Sequence, residues 1–338
     1  MNLLVIVGNP KRASFRQRVA IYLDTLRAKG VYSTVEKMPA GSLARRRLFK
    51  RATGFDCVFL HKKRLNLFDA FWLRRYGRKI IYDFDDAIMY RAETPERDSP
   101  AHFRPFRRTV DLAHMIIAGN AYLAEHARRF NRNVKVLPTG LDTKAYRIQA
   151  APRKDDRICL VWIGSKSTLR YLAEIRPALE EVGGRFDNVV LRMICDQFLD
   201  LQNMPVEKCI WSMETQVADL VSSDIGLAPL PDNRFTRGKC GFKILQYAAA
   251  GLPAVASPVG VNSEYVTDGV TGYHASSMPE WVDKITELIE RHPLRKQMGH
   301  AARAHVEKFD SDIIGKELYR LLERCNEEEH QHSNGMGC

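Results

Sequence analysis

The chain has 338 residues, of which 45% are hydrophobic and 27% are charged, with a formal net charge of +12. This length predicts two domains of about 150 residues each, and the composition is typical of a soluble globular protein. No apolar run reaches the roughly 18 residues that a membrane-spanning helix requires, and Asn2–Gly8 is too short for the core of a signal peptide.

The seven cysteines are scattered, without a C-x-x-C pair. We expect buried thiols at Cys57, Cys159, Cys195 and Cys209, because their neighbours are apolar. This usage predicts a reducing, cytoplasmic environment and argues against a structural metal or a disulfide framework.

The positive charge is concentrated in the first half of the chain. Residues 1–150 hold 30 lysines and arginines against 13 carboxylates, an excess of 17, whereas residues 151–338 hold 22 against 27. This imbalance predicts an anionic partner for the first half: a phospholipid surface, a lipid-linked pyrophosphate acceptor or nucleic acid. A diffuse, solubilising charge is the alternative.

The chain opens with an apolar strand at Leu3–Val7, a basic loop and a helix that Gly30 ends. This strand–loop–helix order is typical of an α/β domain, and the absence of G-x-G-x-x-G argues against a dinucleotide site. Arg12 and Arg16 lie on one side of the first helical turn. We predict that they hold an anionic acceptor, with ordinary surface arginines as the alternative.

Basic and aromatic residues then interleave. Ser42–Arg51 contains five cations, and Lys62–Arg64 precedes the aromatic run Leu67–Leu73. On a helix, this pattern is typical of a protein that lies at a membrane interface. A core-facing aromatic stripe with a solvated basic back is the alternative.

Lys79–Asp86, KIIYDFDD, is predicted to be a strand that ends in carboxylates. The carboxyl ends of parallel strands open into the ligand crevice of such sheets. We therefore expect Asp85 and Asp86 to border the acceptor site, where they orient a hydroxyl or pair with Arg12 or Arg16. An ion-pair cluster inside the basic domain and a D-x-D metal site in the same run are the alternatives.

The remaining elements predict two Rossmann-like halves. Asp111–Asn120 is predicted as a strand, Ala150–Asp156 as a polar linker, and Ile158–Ile163 as a strand that repeats the opening unit. The predicted domains are residues 1–150, which bind the acceptor, and residues 151–310, which bind the donor. Residues 311–326 are predicted to form a helix that crosses back to the first domain, and residues 327–338 a disordered tail.

Arg237–Glu264, RGKCGFKILQYAAAGLPAVASPVGVNSE, is the most informative stretch. It predicts a loop, a helix from Phe242 that a Gly-Leu-Pro turn ends, and a short buried strand. We expect Gly238 and Gly241 to let the backbone approach a ligand closely. A basic, glycine-rich loop that leads into a helix N-terminus favours an anion.

This stretch resembles the donor-sugar signature of GT-B glycosyltransferases, most closely glycosyltransferase family 4, the glycosyl transferases group 1. The matching positions are Gly241-Phe242, Tyr247–Gly251, Pro253–Ser257, Gly260 and Glu264. Two glutamates of the family pattern, which contact the donor sugar and the ribose, fall on Gly238 and Gln246.

Two further segments are similar to that family. Pro138–Asp142 resembles the P-x-G-x-D of its interdomain crossing. Gly164–Arg170 stands where the family carries G-R-x-x-x-x-K, whose cations grip the diphosphate. Here Ser165 replaces the arginine and Arg170 the lysine, and Lys166 is expected to supply the missing charge.

The resemblance implies a GT-B fold, in which two Rossmann-like parallel-sheet domains face each other across a cleft. It implies a retaining, metal-independent transfer of a sugar from a nucleotide-diphosphate sugar to an acceptor hydroxyl, with no cofactor. It also implies cytoplasmic polysaccharide, cell-surface glycan or glycolipid synthesis, and the basic first domain suggests a peripheral site on the inner face of the membrane.

The resemblance and the charge pattern also assign roles to residues. The residues expected to neutralise the leaving diphosphate are Lys239, Arg170 and Lys166. The residues expected to bind the donor are Gly164, Ser165, Thr168, Arg237, Gly241, Phe242, Lys243, Gln246 and Glu264. The residues expected to bind the acceptor are Arg12, Arg16, Asp85 and Asp86.

Two other functions stay open on the sequence. One is a nucleotide-sugar epimerase on the same fold, which needs acid/base carboxylates or histidines that the donor stretch hardly offers. The other is a basic membrane- or nucleic-acid-binding module whose sugar site has decayed, although nucleic acid is the less favoured partner.

Overall fold

A computed structural model describes residues 1–146 and 156–333, with the backbone alone for 326–333. The chain divides into two units. The first unit contains Met1–Leu141, Asn233–Cys240 and the residues from Ser311 onward, and the second contains Asp142–Asp232 and Gly241–Asp310. The predicted boundary at residue 150 and residues 150–155 of the predicted linker lie outside the described residues.

Strands alternate with helices along both units. The strands of the first unit are β1 (Asn2–Val7), β2 (Tyr32–Lys37), β3 (Cys57–His61), β4 (Ile80–Phe84), β5 (Met115–Ala118) and β6 (Val134–Val136). The strands of the second unit are β7 (Ile158–Ile163), β8 (Val189–Cys195), β9 (Val206–Ile210), β10 (Ile225–Ala228), β11 (Ala254–Ala256) and β12 (Gly272–His274).

The α-helices follow in the same alternation. Those of the first half are α1 (Ala13–Arg18), α2 (Leu23–Ala28), α3 (Ser42–Arg51), α4 (Leu67–Tyr76), α5 (Pro100–Leu112) and α6 (Ala121–Arg128). Those of the second unit are α7 (Lys166–Glu174), α8 (Arg176–Arg185), α9 (Gln216–Val221), α10 (Phe242–Ala249), α11 (Asn262–Tyr265), α12 (Met278–Glu290) and α13 (His292–Val306). Helix α14 (Ser311–Ser333) belongs to the first unit.

Each unit is built on a six-stranded sheet whose paired strands are parallel. The strand order is β2-β1-β3-β4-β5-β6 in the first unit and β12-β11-β10-β7-β8-β9 in the second. Parallel neighbours require helical crossovers, which cover both faces of the sheet. Inner strands such as β1 and β10 are accordingly apolar and buried. The predicted architecture of two Rossmann-like parallel-sheet domains is confirmed.

Strand β1 shows how the sheet of the first unit is buried on both faces. Leu4 and Ile6 pack in a core with residues of α3, α4, α5 and α6. Leu3 and Val5 alternate with them and pack on the opposite side, with residues of α1, α2 and α14, including Ile314. Helix α14 therefore contributes to the core of the first unit.

In the second unit, Tyr247 of α10 ties the helix to the sheet. Its hydroxyl donates to the carbonyl of Leu227 at 2.9 Å and accepts from the amide of Ile163 at 3.2 Å. Burial raises the pKa of Tyr247 above its usual value. A Cβ on Gly226 would lie 2.4 Å from the Tyr247 ring, so β10 needs glycine there. These contacts fix α10 against the centre of the sheet.

Several sequence-based boundaries differ from the structure. The first predicted helix is interrupted by a 3-10 turn at Ala20–Tyr22. Asp111 and Leu112 were expected in a strand but end α5, because Pro100 starts a helix whose Phe106 and Val110 are buried on one face. Residues 327–333 of the predicted tail lie on α14, and residues 334–338 are outside the described residues.

The cysteines are close to expectation. Cys57, Cys159 and Cys195 are buried free thiols, as predicted, whereas Cys209 is half-buried. Within the part of the chain that the structure describes, no helix is both long and apolar enough to cross a membrane.

Gly299 of α13 is expected to be intolerant of a side chain. A Cβ at this position would lie 2.1 Å from the carbonyl oxygen of Gly251, and the contacting backbone cannot rotate away. We expect Gly299→Ala to lower the free energy of unfolding by about 1–3 kcal/mol, measured by urea denaturation.

Gly184 of α8 is the matched control. It is exposed, and a Cβ there would come no closer than 3.8 Å to a neighbouring atom. Gly184→Ala should raise stability by about 0.5–1 kcal/mol through helix propensity. Equal effects of the two substitutions would contradict the proposed packing.

Candidate functional site

A buried ionic network lies where β3 and β4 of the first unit end. Arg18 of α1 donates from Nε and Nη2 to Oδ1 of Asp83, at 3.0 and 2.8 Å. His61 Nδ1 lies 2.7 Å from the other oxygen of Asp83, and His61 Nε2 lies 3.1 Å from the Ser14 hydroxyl. The network therefore joins α1 to two strand ends.

The charges of this network stabilise one another. Burial alone would raise the pKa of Asp83, but the Arg18 guanidinium and the His61 hydrogen bond hold that pKa below its usual value. Although burial opposes it, the Asp83 carboxylate raises the pKa of Arg18. Asp83 is therefore a fixed negative charge that orients the His61 ring and, through it, Ser14.

Sequence reasoning missed this network. Its members lie up to 69 positions apart in the sequence, and no local motif contains them. Strand order is the one signal that could have found it: β3 pairs with β4, and His61 stands opposite Asp83 in their register. Two polar residues at paired strand ends in an apolar sheet indicate a contact.

Asp85 and Asp86 form a second cluster just beyond β4. Lys62 Nζ ion-pairs with both, at 2.9 Å to Asp85 Oδ1, and Lys239 Nζ lies 3.0 Å from Asp86 Oδ1. Burial would raise the pKa of Asp86, but the two ammonium groups hold it well below its usual value. Asp85 and Asp86 therefore belong to an ion-pair cluster, which was the alternative interpretation of this run of carboxylates.

The expected pairing of these carboxylates with Arg12 or Arg16 is wrong. Strand β3 lies between β1 and β4, so Lys62, which follows β3, is nearer to Asp86 than a residue that follows β1. Lys62 also adopts a left-handed backbone, with φ of 53°. Arg16 instead donates to the carbonyl of Lys11 at 3.2 Å, and Arg12 is exposed.

Residues 233–240 pack within the first unit, although they were predicted in the second domain. Asn120 Nδ2 donates to the carbonyl of Lys239 at 3.0 Å, and the Cys240 thiol donates to the carbonyl of Asp85 at 3.2 Å. The Tyr122 hydroxyl donates to the carbonyl of Arg234 at 3.0 Å. Lys239 is therefore fixed beside the carboxylates of the first unit.

Gly238 packs closely against Ala87 and Leu123 of the first unit. The expectation that this glycine makes room for a ligand is therefore wrong. A Cβ at Gly238 would lie 2.6 Å from the Cβ of Ala87 and 2.9 Å from a methyl carbon of Leu123. The position is buried. The packing therefore requires glycine where the family pattern has a glutamate.

In the second unit, two of the predicted donor-binding residues, Gly164 and Lys243, lie together at the end of β7. The Lys243 ammonium donates to the carbonyl of Ile163 and lies 4.0 Å from the centroid of the Trp162 ring. A Cβ on Gly164 would lie 2.3 Å from Trp162 and 2.8 Å from Lys243 Nζ. Glycine here leaves space for this lysine beside the turn.

Helix α10 begins at Phe242 behind a glycine N-cap. Gly241 has φ of 60°, a left-handed conformation, and a Cβ there would lie 2.8 Å from the ring of Tyr265. No side chain of the described residues caps this helix start. The positive end of the helix dipole and the charge of Lys243 therefore lie on the same helical turn.

The start of α7 is less favourable for an anion than predicted. The Thr168 hydroxyl accepts from the Ser165 amide at 3.1 Å, so it acts as a helix cap. The Asp196 carboxylate accepts from the Lys166 amide at 2.7 Å, and this hydrogen bond lowers the pKa of Asp196. Arg170 donates to the Tyr171 hydroxyl at 3.0 Å.

The remaining predicted donor residues differ in exposure. Gln246 is buried and donates from Nε2 to the Tyr146 hydroxyl at 3.2 Å. Burial raises the pKa of Tyr146 to about 12, so its hydroxyl keeps its proton near neutral pH. Glu264 on α11 and Arg237 of the first unit are exposed. Their roles stay predictions.

Part of the chain is similar in sequence to known glycosyltransferases. Residues 216–305 match the family model described as Glycosyl transferases group 1. The D-inositol 3-phosphate glycosyltransferase of Corynebacterium aurimucosum is 34% identical over 107 residues, which make up 31% of this chain and 24% of that protein. The chain thus aligns with about a quarter of the length of that curated relative.

Solved structures are similar over nearly the whole chain. HepE of Anabaena, in complex with UDP and glucose, has a TM-score of 0.72 at 16% identity, over 96% of this chain and 100% of that one. Sucrose-phosphate synthase from Thermosynechococcus elongatus has a TM-score of 0.73 at 12% identity, over 96% and 98%.

These structures define the class: the chain has the GT-B fold that the sequence predicted. Within that class, the match over residues 216–305 confirms the resemblance to glycosyl transferases group 1 that Arg237–Glu264 indicated. The sequence match is to residues 216–305, and the solved structures share the fold.

Asp83→Asn is expected to leave the Arg18 charge buried without a carboxylate. We expect the free energy of unfolding to fall by about 3–5 kcal/mol at pH 7, measured by urea denaturation. Because the pKa of Asp83 is lower in the folded chain than its unfolded value, its stabilisation is complete above about pH 4 and is lost in stronger acid. The gap between wild type and variant should therefore narrow below that pH.

Asp111→Asn is the matched control, since this aspartate is exposed at the end of α5. Its effect should stay within about 0.5 kcal/mol. If both variants lose the same stability, or if the gap for Asp83→Asn does not change with pH, the proposed network is wrong.

Proposed function

We propose that this protein transfers a sugar from a nucleotide-diphosphate sugar to an acceptor hydroxyl, and that the second unit binds the donor. The observation that carries the proposal is the turn after β7, where Gly164, the Lys243 ammonium and the start of α10 meet. Residues 242–249 lie inside the segment that matches the glycosyltransferase family.

The chemistry requires stabilisation of a leaving diphosphate. Negative charge builds up on that group as the glycosidic bond breaks, so a fixed cation and a helix N-terminus beside it lower the barrier. Lys243 is held in place by the Ile163 carbonyl and the Trp162 ring before any substrate binds. It therefore needs little reorganisation to act, and Lys166 and Arg170 are exposed and add charge nearby on α7.

We propose retention at the anomeric carbon, as the family resemblance implies, and we assign no protein nucleophile. We also propose that the reaction needs no metal. Asp83 and Asp85, the residues of the D-x-D alternative, are paired with Arg18 and Lys62. A divalent cation would have to displace these pairs.

The ligands bound by one of the similar proteins suggest the donor. The crystal structure of HepE contains UDP and glucose, which supports a uridine-nucleotide sugar as the first donor to test. We place the product in cell-surface glycan or glycolipid synthesis, at the cytoplasmic side of the membrane.

A donor panel tests the enzyme. Thermal shift and donor hydrolysis with UDP, GDP, ADP and their sugars, with and without EDTA, should single out one nucleotide. Interconversion of two nucleotide-sugars without transfer would support the epimerase. No shift with any nucleotide would support the decayed binding module.

Lys243→Met is expected to impair transfer more than folding. Loss of one fixed donor at a developing charge costs about 100- to 1,000-fold in kcat, whereas methionine keeps the apolar stem that lies on Trp162. Steady-state kinetics with the identified donor and a melting curve would separate the two effects.

Lys284→Met is the control, because Lys284 is in the same unit and also lies over an aromatic ring, 4.5 Å from the centroid of Tyr273. It should keep full kcat. Equal losses of activity in the two variants would argue against a phosphate role for Lys243.

The peripheral membrane location rests on one face of the first unit, which we name the α3–α4 face. Its large apolar side chains are exposed, with Leu67 at 73% and Phe71 at 61%, beside Leu43 and Phe68. Its exposed cations are Arg46, Arg47, Lys50, Arg74 and Arg75. The carboxylate of Asp69, the acidic residue of these helices, is turned inward to Arg45 at 2.7 Å.

This combination fits an anionic bilayer. Cations attract the head groups while leucine and phenylalanine side chains enter the acyl boundary. The alternative of a core-facing aromatic stripe holds for Leu73, which is buried, and in part for Trp72, whose ring stacks under Arg46 at 4.1 Å. The exposed residues lie on the other side of α4.

We expect Leu67→Ser with Phe71→Ser to abolish sedimentation with phosphatidylglycerol vesicles. Each side chain contributes about 1.5–3 kcal/mol when it is fully buried, so the double variant should bind at least about 100-fold more weakly. Binding of the wild type should fall with salt and with neutral lipid.

Ile313→Ser is the control, since Ile313 is 50% exposed on α14 of the same unit. It should bind vesicles like the wild type. Unchanged binding of the double variant would remove the membrane proposal and leave the donor site unaffected.

A further inference from the structure

The first unit contains a cavity of about 620 Å³ beside the carboxyl ends of β2 and β3. Its wall includes Lys37, the last residue of β2, and Lys63 and Arg64, which follow β3. Arg45 of α3 and the segment before α4 complete it. The volume is typical of pockets that hold a small molecule.

The charge of this cavity is unbalanced. Four cations line it, and Asp69 is the one carboxylate among the described lining residues. That carboxylate is engaged by Arg45 at 2.7 Å. Arg64 donates to a backbone carbonyl, that of Ile88, at 2.8 Å. The side chains of Lys37 and Lys63 have no hydrogen bond or ion pair with a described residue.

Lys63 is the centre of this imbalance. Its ammonium reaches back over the end of β1, where a Cβ on Gly8 would lie 3.6 Å from it. Burial lowers the pKa of Lys63, and so do the charges of Arg45, Arg64 and Arg12 around it, against the opposing effect of the Asp69 carboxylate. A cluster of like charges that is partly shielded from water is costly, and an anion would relieve it.

We infer that this cavity binds the phosphate group of a small phosphorylated ligand. Lys37, Lys63 and Arg64, which end or follow two neighbouring strands, line one cavity, and such a group of cations suits the several acceptor oxygens of phosphate. Met38 and Leu65 add apolar wall beyond the charges. A phosphate with a short polyol or sugar attached would therefore place its anion at Lys63 and its carbon skeleton against these side chains.

The ligand is the acceptor of the sugar, and this second step rests on the proposed function. The cavity opens at the strand ends of the first unit, the edge at which α/β sheets bind ligands. Asp85 and Asp86, which were expected to border the acceptor, are occupied by Lys62 and Lys239. The neighbouring cavity instead retains Lys37 and Lys63, whose ammonium groups have no ion pair with a described residue.

Binding is tested directly, without catalysis. Calorimetry and ³¹P NMR titration of the full chain would compare inorganic phosphate, glycerol 3-phosphate and glycerol. We expect both phosphates to bind, glycerol not to bind, and affinity to fall with salt. Lys63→Met should weaken phosphate binding at least tenfold.

Matched variants keep the result interpretable. Lys316→Met removes an exposed cation of α14 in the same unit and should bind phosphate normally. Lys37→Met tests the same cavity from the exposed end of β2, so the test survives if Lys63→Met does not fold. Phosphate affinity that is unchanged in both cavity variants, or lowered equally by Lys316→Met, overturns the site.

Further arms identify the source of the phosphate. A soluble sugar phosphate and a short-chain phosphatidic acid below its micelle concentration would be compared as ligands and as acceptors of the identified donor. We expect the phosphorylated acceptor to have a KM at least tenfold higher with Lys63→Met, at similar kcat. If phosphate binds through Lys63 but no phosphorylated compound accepts sugar, the acceptor assignment is wrong and the binding site stands. Failure of all donors would instead count against the proposed function.

Discussion

The constraint on which the structure depends is the parallel direction of the paired strands in each sheet. A parallel sheet sends each crossover through a helix and brings all the strand carboxyl ends to one edge. In the first unit, the charged residues Asp83, Asp85 and Lys62 lie at or just beyond this edge. In the second unit, the Gly164 turn and the Lys243 ammonium lie there. Apolar strands leave that edge as the place where charge can be balanced, so the fold itself selects where chemistry occurs.

Local patterns predicted the fold well because they depend on near neighbours. Gly241 before a helix and Gly251 after it marked both ends of α10, and both adopt positive φ. Alternating strands and helices predicted the two parallel sheets. The strand expected at Asp111–Asn120 begins only at Met115, because Asp111 and Leu112 belong to α5. The burial of α5 depends on which face packs against the sheet, and an apolar stretch of this length fits either element.

The site was harder to predict, because ion pairs depend on strand order. Arg12 and Lys62 are both basic residues that follow a strand, and the sequence does not tell which strand lies next to β4. The same limit hid the contact of His61 with Asp83. Gly238 illustrates a different limit: a glycine in a signature segment was interpreted as room for a ligand, but Ala87 and Leu123 fill that room.

The division of the chain has a consequence for how each half can be studied. The polypeptide passes from one unit to the other four times, at 141/142, 232/233, 240/241 and 310/311. A fragment cut after Leu141 would lack residues 233–240 and α14, and it would expose the apolar surface that Ile314 and Leu318 cover. Neither unit is therefore a contiguous segment of the chain. To produce one unit alone, its separate segments would have to be joined by linkers, because a simple truncation removes part of it.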